Sequence, residues 1–358
     1  MSNCIEYNGT LAFHPGYYIK EIIEDLGISQ QDFAKRLGTT PKTISVLIKG
    51  EQRLSADIAL KLSKMLGTSP EFWLNLQDSY DTVLAEIDSI DELARETEVL
   101  KQLDYGYFRT NFNLPDLPRR LGEQVVQVRK FLKVASLAVL RQPDFSASFR
   151  SSFEREDEAA VVRSNTLLQI AVNEALEVEA PKFDRARFKD ALNFALSQTT
   201  AKDGFYEAVR EEFRKAGVIF IILPNLKGSK MNGATKRING RVLLMVNDRR
   251  SFLDTFWFTL MHEAGHIVEG DFGISLESDA GDIEERADAF ARDALINPTQ
   301  YASFVSNGVF SVAAVRQFAR AINRDPGIVV GRLQSDYPAL YKNPQLNKLK
   351  TRCRVTVR

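Results

Sequence analysis

Three residues of one short segment have the types and the spacing found at the metal sites of metal-dependent hydrolases. His262 and His266 are four residues apart and Glu263 lies between them, in the pattern His-Glu-x-x-His. On a helix, residues at this spacing lie one turn above each other, so both imidazoles can bind one ion. Glu263 lies about 100° around the helix, where it can reach a metal-bound water without being a ligand. The pattern predicts a Zn2+ site with Glu263 as the catalytic base.

A catalytic zinc usually has a third protein ligand, and residues 282–291 supply candidates. Asp282 and Glu285 have the spacing of a capping box, which assigns Glu285 to the helix start and leaves Glu284 as the predicted third ligand. Asp288, one turn later, is placed to accept a hydrogen bond from the outer nitrogen of a ligating histidine. The alternative for Glu284 and Asp288 is a solvated helix face.

The His-Glu-x-x-His segment, followed by Glu-x-x-Ala-Asp-x-Phe-Ala at 284–291, resembles the ImmA/IrrE family of zinc metallopeptidases. Residues 246–247, 256–260, 294–296 and 326–333 are also similar to that family, so the resemblance runs from about residue 205 to 341. It implies a fold similar to the core of thermolysin-like zincins, a zinc ion and peptide-bond hydrolysis, and in some members cleavage of a helix-turn-helix repressor. Ala264 stands where a larger residue is common.

In such an enzyme, Glu263 takes the proton of the attacking water and returns it to the leaving amine. An extended substrate is expected to pair with an edge of a small sheet, at residues 241–247 or 235–238. The group that stabilises the oxyanion is left open among Arg237, Arg292 and Tyr301.

The amino-terminal region carries a second functional pattern, in which two short amphipathic segments at 28–45 are separated by a turn at Gly38. This is the spacing of a helix-turn-helix. Thr40 and Pro41 start the second helix, whose first residues then meet base edges. The residues predicted to contact DNA are polar or cationic: Gln30, Lys42, Thr43, Ser45, Lys49 and Arg53.

The same region resembles the Cro/repressor-type helix-turn-helix family in Ser29-Gln30, Phe33-Ala34, Leu37-Gly38 and Thr43-Ile44-Ser45. His14-Pro15-Gly16 and residues 69–77 resemble the HigA-type antitoxins within that family, over about residues 11 to 78. Tyr17-Tyr18-Ile19 follows where Glu-Tyr-Leu is typical. We expect a homodimer on an inverted repeat of double-stranded DNA, with its own promoter as the first candidate, because one recognition helix reads too few base pairs. A cognate toxin is a further candidate partner.

Composition restricts the function classes. The 358 residues contain 47 Lys plus Arg and 47 Asp plus Glu, so DNA binding must come from a local patch rather than from net charge. Cys4 and Cys353 exclude a disulfide framework and a Cys-rich zinc module. Neither a membrane-spanning run nor a signal peptide is recognisable, which favours a cytoplasmic protein without a membrane partner.

The predicted architecture is multidomain and mainly α. A five-helix helix-turn-helix domain covers residues 11–78, a helical middle region 79–200, and an α+β zincin-like domain with a small sheet 201–341, before an irregular basic tail at 342–358. The apolar run 218–223 predicts a strand, and Asn239-Gly240 predicts a hairpin turn.

Three functions fit these patterns. The first is a DNA-binding regulator that carries an active zinc peptidase. The second is a DNA-binding antitoxin whose zinc domain is a non-catalytic sensor or partner-binding module. The third is a peptidase that uses its helix-turn-helix to hold protein. Glu263 favours catalysis, and the cations between Lys35 and Arg53 favour DNA.

Overall fold

The computed structural model describes residues 3–7, 9–142, 158–201, 204–276, 281–353 and 355. The chain divides into two units, Met1–Arg95 and Glu96–Arg358. The predicted boundary after residue 78 lies inside one long helix, Pro70–Gln102. Residues 96–200, where they are described, belong to the same unit as the predicted zincin-like region rather than forming a domain between two others.

The first unit consists of a β-hairpin and helices. Its described elements are β1 (Cys4–Tyr7), β2 (Thr10–Phe13), α1 (Pro15–Asp25), α2 (Gln30–Leu37), α3 (Pro41–Ile48), α4 (Ala56–Leu66) and the part of α5 (Pro70–Gln102) that ends at Arg95. The five predicted helices are therefore present. The antiparallel β1–β2 hairpin was not predicted; Ala12 on it packs against Tyr80 and Val83 of α5.

Side-chain caps and one glycine fix the helices of this unit. Ser29, Thr40 and Ser55 accept hydrogen bonds from the first-turn N–H groups of α2, α3 and α4. His14 caps α1 through Nδ1, which accepts from the Gly16 N–H. A Cβ on Gly16 would lie 1.7 Å from the backbone oxygen of Leu47, so His-Pro-Gly allows α1 to pack directly on α3.

The second unit contains a four-stranded sheet among helices. Its described helices are α6 (Tyr105–Phe112), α7 (Leu121–Leu132), α8 (Glu158–Leu176), α9 (Arg185–Ser197), α10 (Phe205–Lys215), α11 (Leu253–Glu269), α12 (Asp282–Leu295), α13 (Pro298–Ser306), α14 (Val312–Ala321), α15 (Pro326–Asp336) and α16 (Pro344–Asn347). Its described strands are β3 (Val218–Leu223), β4 (Met231–Ile238), β5 (Arg241–Asn247) and β6 (Gly273–Leu276). No helix of the described residues is long and apolar enough to span a membrane.

The strand order is β3-β5-β4-β6, with β3 parallel to β5 and the other pairs antiparallel. The predicted strand at 218–223 and the predicted Asn-Gly hairpin are both present; Asn239 and Gly240 have φ values of 50° and 81°, as a tight hairpin turn requires. The substrate-binding edge predicted at 241–247 is wrong, because β5 pairs with β3 on one side and with β4 on the other. In the segment predicted at 235–238, Thr235 pairs with both β5 and β6, whereas residues 236–238 pair with β5 alone among the described strands.

Helix α11 lies in the core of the second unit. Trp257, Leu260 and Met261 are fully or almost fully buried among apolar residues of the sheet and of neighbouring helices. Ala287 and Ala291 of α12 are also buried, and these small side chains let α12 approach α11 closely. The core thus holds the two helices that carry the predicted metal ligands.

The segment predicted as an irregular basic tail packs on this unit as far as its described residues extend. Leu346 of α16 is fully buried, and the ammonium of Lys350 lies 2.7 Å from Asp254 near the start of α11. Phe252 and Arg352 form an antiparallel bridge. Residues 354 and 356–358 of the predicted tail lie outside the described residues.

Candidate metal centre and DNA-binding helices

The structure brings the three predicted metal ligands together at the contact of α11 with α12. Nε2 of His262 lies 3.1 Å from Nε2 of His266 and 3.1 Å from Oε2 of Glu284. Nε2 of His266 lies 3.5 Å from Oε1 of Glu284. All three side chains are buried, and their inner atoms converge on one point.

These separations suit a zinc ion. Tetrahedral Zn–N bonds of about 2.0–2.1 Å place two ligand nitrogens roughly 3.3 Å apart, close to the spacing between the histidines. The candidate ligand atoms lie within 4.8 Å of one another. Two imidazoles and one carboxylate are also the donor set of a catalytic zinc site with an open position.

Charge is concentrated at this cluster. Burial by itself lowers the pKa of His262, but the hydrogen bonds to Asp288 and Glu284 and the charge of Glu263 outweigh it and raise this pKa to about 10. Burial by itself raises the pKa of Glu284, but hydrogen bonds to the two imidazoles outweigh it and hold this pKa well below the usual range of a carboxyl group. The cluster therefore carries at least one proton that a metal ion must displace near neutral pH.

Asp288 lies where the sequence predicted it. Its Oδ1 is 2.8 Å from Nδ1 of His262, on the side of the ring away from the other two ligands. Accepting this hydrogen bond keeps the proton on Nδ1 and leaves Nε2 to face the cluster. The carboxylate is about half exposed, so water competes for the same bond.

Glu263 is fully buried beside the cluster, and strand β4 passes directly along it. A Cβ on Gly233 would lie 2.6 Å from Cγ and 2.7 Å from Oε1 of Glu263. Gly233 therefore gives the glutamate its space. Sequence reasoning missed this residue, although a glycine within a strand is a sign of close approach by another group.

The predicted capping box is wrong. The residue before the first turn of α12 is Gly281, no side chain caps the helix, and Asp282 is already its first residue. Glu285 is exposed whereas Glu284 is buried against the histidines. Glu284 rather than Glu285 faces the histidines, as predicted, but for a different reason: Glu284 lies on the face of α12 that packs against α11, and Glu285 does not.

A small pocket of about 210 Å³ opens beside His262, Glu284 and Asp288, and Arg249 and Arg250 contribute to its lining. The three candidates for oxyanion stabilisation are not among its described lining residues. Tyr301 donates a hydrogen bond to Asp336, and Arg237 stacks on Phe272. Arg292 lines a neighbouring cavity instead. Sequence reasoning missed Arg249 and Arg250, although two cations shortly after the apolar run 242–246 were visible in the sequence.

The helix-turn-helix in the first unit is formed by α2 and α3. Lys42, Ser45 and Lys49 have the three- and four-residue spacing of one helix face, and both lysines are exposed. Their ammonium groups have no ion-pair partner among the described residues. Apolar Ile44 and Leu47 on the opposite side of α3 are fully buried. The second helix therefore presents a polar and cationic face to solvent.

The remaining predicted DNA contacts are less uniform. Gln30 is exposed as the first residue of α2. The Thr43 hydroxyl lies 2.9 Å from the Thr40 hydroxyl and so shares a hydrogen bond with the helix cap. Arg53 is exposed, but its guanidinium lies 2.5 Å from Asp81, so a phosphate must compete with that carboxylate.

Comparison with known proteins places this unit in a family. Residues 19–73 match the family model described as helix-turn-helix. YddM of Escherichia coli K12, described as an uncharacterized HTH-type transcriptional regulator, is 35% identical over 88 residues, which are 25% of this chain and 92% of that protein. The chain belongs to this helix-turn-helix family, and its first unit is a DNA-binding domain of the regulator and antitoxin type.

Two antitoxin-like proteins are similar over the same short extent. Antitoxin HigA-1 of Vibrio cholerae is 43% identical over 61 residues, which are 17% of this chain and 57% of that protein. A solved structure of an addiction module antidote protein of a HigA family from Coxiella burnetii has 37% identity and a TM-score of 0.22, covering 23% of this chain and 91% of that one. These similarities reach about a quarter of the chain at most.

Proposed function

We propose that this protein is an antitoxin-like transcriptional regulator whose second unit is a zinc-dependent endopeptidase. The observation that carries the enzymatic part is the convergence of His262, His266 and Glu284 at distances of 3.1–3.5 Å, with Glu263 buried beside them. Burial of charged groups costs free energy unless the groups are paired, hydrogen-bonded or bound to an ion, and two imidazoles with two carboxylates are the set that metal-assisted hydrolysis needs.

The DNA target is an inverted repeat bound by a homodimer. One α3 helix contacts only a few base pairs, and two half-sites about one helical turn apart supply the missing discrimination. The promoter of the protein's own gene is the first target to test. A toxin partner is a second proposal, which rests on the similarity to a protein named as an antitoxin.

In the proposed catalytic centre, His262, His266 and Glu284 would hold the ion. A bound zinc would supply Lewis-acid chemistry that activates water and polarises the carbonyl of the scissile bond. The Glu263 carboxylate would accept the proton of the attacking water and deliver it to the leaving amine. Gly233 leaves room for the Glu263 side chain, and Asp288 orients the His262 ring. Arg249 and Arg250 place positive charge at the same pocket, where negative charge develops on the carbonyl oxygen.

Incubation of purified full-length protein with candidate substrates tests this proposal. The substrates are a second copy of the chain, helix-turn-helix proteins and products of neighbouring genes, each with and without zinc, and cleavage is read by mass spectrometry. We expect defined cleavage by the wild type, none by Glu263→Gln, and about one zinc per chain in both. Zinc retained by a His262→Ala/His266→Ala variant would contradict the ligand assignment.

The second candidate is a metal sensor without turnover. The observation in its favour is the volume of the pocket, about 210 Å³, which is less than the roughly 300–1,000 Å³ of most ligand pockets. The test is the rate at which the promoter is derepressed when Glu263→Gln replaces the wild type. A wild-type rate that still requires zinc would favour the sensor over the enzyme.

A further inference from the structure

A second and larger cavity lies next to the metal pocket. Its volume is about 500 Å³, within the range of roughly 300–1,000 Å³ typical of ligand pockets. The two cavities share wall residues: Arg250, Phe252, Thr255, Phe258 and Asp288. A chain that passes the metal cluster can therefore place a neighbouring side chain in this second cavity.

The walls of the second cavity are of two kinds. Phe252, Phe258, Leu295 and Ile328 provide apolar surface for the stem of a side chain. Among the described lining residues, four are cations and two are acids: Arg250, Arg292, Arg332, Lys350, Asp254 and Asp288. The described lining thus has a formal excess of two positive charges.

Both acids of the lining are already engaged. Asp254 lies 2.7 Å from the ammonium of Lys350, and Asp288 lies 2.8 Å from Nδ1 of His262. Arg332 is also neutralised, since its Nε lies 2.9 Å from Asp336. Arg292 lines the same cavity and has no ion-pair partner among the described residues, so its guanidinium can bind a carboxylate there.

We propose that this cavity binds an aspartate or glutamate side chain of the peptide, close to the bond that is cleaved. The inference rests on the proposed peptidase function and adds a charge preference to it. Arginine can donate two parallel hydrogen bonds to one carboxylate, and the apolar walls accommodate the methylene stem. A lysine or arginine side chain at the same position is repelled.

A binding measurement on the metal-free full-length chain tests the preference without catalysis. The probes are two dye-labelled peptides, one of alternating leucine and glutamate and one of alternating leucine and glutamine, followed by fluorescence anisotropy. We expect the glutamate peptide to bind about fivefold more tightly. Arg292→Gln should reduce this ratio, and Arg292→Glu should abolish it.

Arg316→Glu is the matched control, because Arg316 is an exposed arginine on α14 and is not part of the described cavity lining. The control also removes one positive charge and adds one negative charge, so it reports any general effect of charge. We expect it to keep the wild-type preference. Equal affinities of wild type for the two peptides, no measurable binding of the glutamate peptide, or equal effects of the two substitutions to glutamate would overturn the inference.

Cleavage of a proteome-derived peptide library by the zinc-loaded protein separates this inference from the proposed function. We expect aspartate or glutamate to be enriched on one side of the cleaved bonds, and the enrichment to be lost in Arg292→Glu. Cleavage without that enrichment would overturn the charge preference and leave the peptidase standing. Preferential binding of the glutamate peptide without any cleavage would support the cavity and count against the peptidase.

Discussion

Replacement of Asp288 tests how the metal centre is held together. Its carboxylate lies 2.8 Å from Nδ1 of His262 and touches none of the proposed ligand atoms that face the cluster. Loss of such an outer partner typically lowers metal affinity by roughly 10–100-fold, which corresponds to about 1.4–2.7 kcal/mol. Because the Asp288 side chain is 52% exposed and water can replace part of its bond, we expect the lower end of this range for Asp288→Ala, about tenfold.

Asp288→Asn separates charge from hydrogen bonding. The amide oxygen can still accept from Nδ1, so Asp288→Asn should bind zinc more tightly than Asp288→Ala but less tightly than wild type. Asp293→Asn, an exposed acid on the same helix, is the matched control and should behave as wild type. Affinity is measured by competition with a chromogenic zinc chelator at fixed salt and at several pH values, so that the change in proton competition at His262 is separated from the change in zinc affinity.

The result that would refute this reasoning is an Asp288→Ala protein with wild-type zinc affinity. An independent check is the pKa of His262 in the metal-free protein, followed by NMR. Because Asp288 is a main cause of its rise to about 10, this pKa should fall in Asp288→Ala. An unchanged pKa would show that Glu284 and Glu263 alone hold the proton on the ring.

Three further predictions concern pH, the catalytic base and DNA. The folded pKa of His262, about 10, lies above the ordinary value of about 6.5, so the stability that the protonated ring gives the metal-free protein is complete below pH 6.5 and is lost as pH rises through 10. Zinc binding at pH 7 should release about one proton from His262, because the ring is protonated at that pH. Calorimetry in buffers of different ionisation enthalpy measures this release. Gly233→Ala should displace Glu263, because its Cβ would lie 2.6 Å from Cγ, so we expect lost cleavage with zinc content retained, and full activity would contradict the close approach. Lys49→Ala should weaken binding to all DNA sequences and reduce by about 1 the slope of the logarithm of the binding constant against the logarithm of the salt concentration. Arg53→Ala should have a smaller effect, because Asp81 already pairs with that guanidinium. A larger effect of Arg53→Ala in salt-dependent binding curves would contradict the assignment.

The parts of this protein that the sequence determined are those governed by neighbours along the chain. The four-residue spacing of His262 and His266 places both imidazoles on one face of any helix. The caps at Ser29 and Thr40 and the turn at Asn239-Gly240 act within a few residues of themselves, and each lies where the sequence predicted it. Local backbone geometry is sufficient for all of these features.

Local reasoning failed where two distant segments meet. The capping box at Asp282 was a valid local pattern, but packing of α12 on α11 decided which acid of its first turn faces the histidines. The Asn-Gly turn identified the hairpin of β4 and β5, yet the tertiary structure decided that β3 and β6 pair with the two outer sides of this hairpin.

The surroundings of the metal cluster were likewise decided by tertiary structure. Gly233 is thirty residues from Glu263 along the chain, and Lys350 is nearly a hundred residues from Asp254. Such contacts follow from which faces are buried together when the whole core forms, and no short segment carries that information. The sequence by itself thus determined the ligands on one helix, and only the tertiary structure decided what lies opposite them.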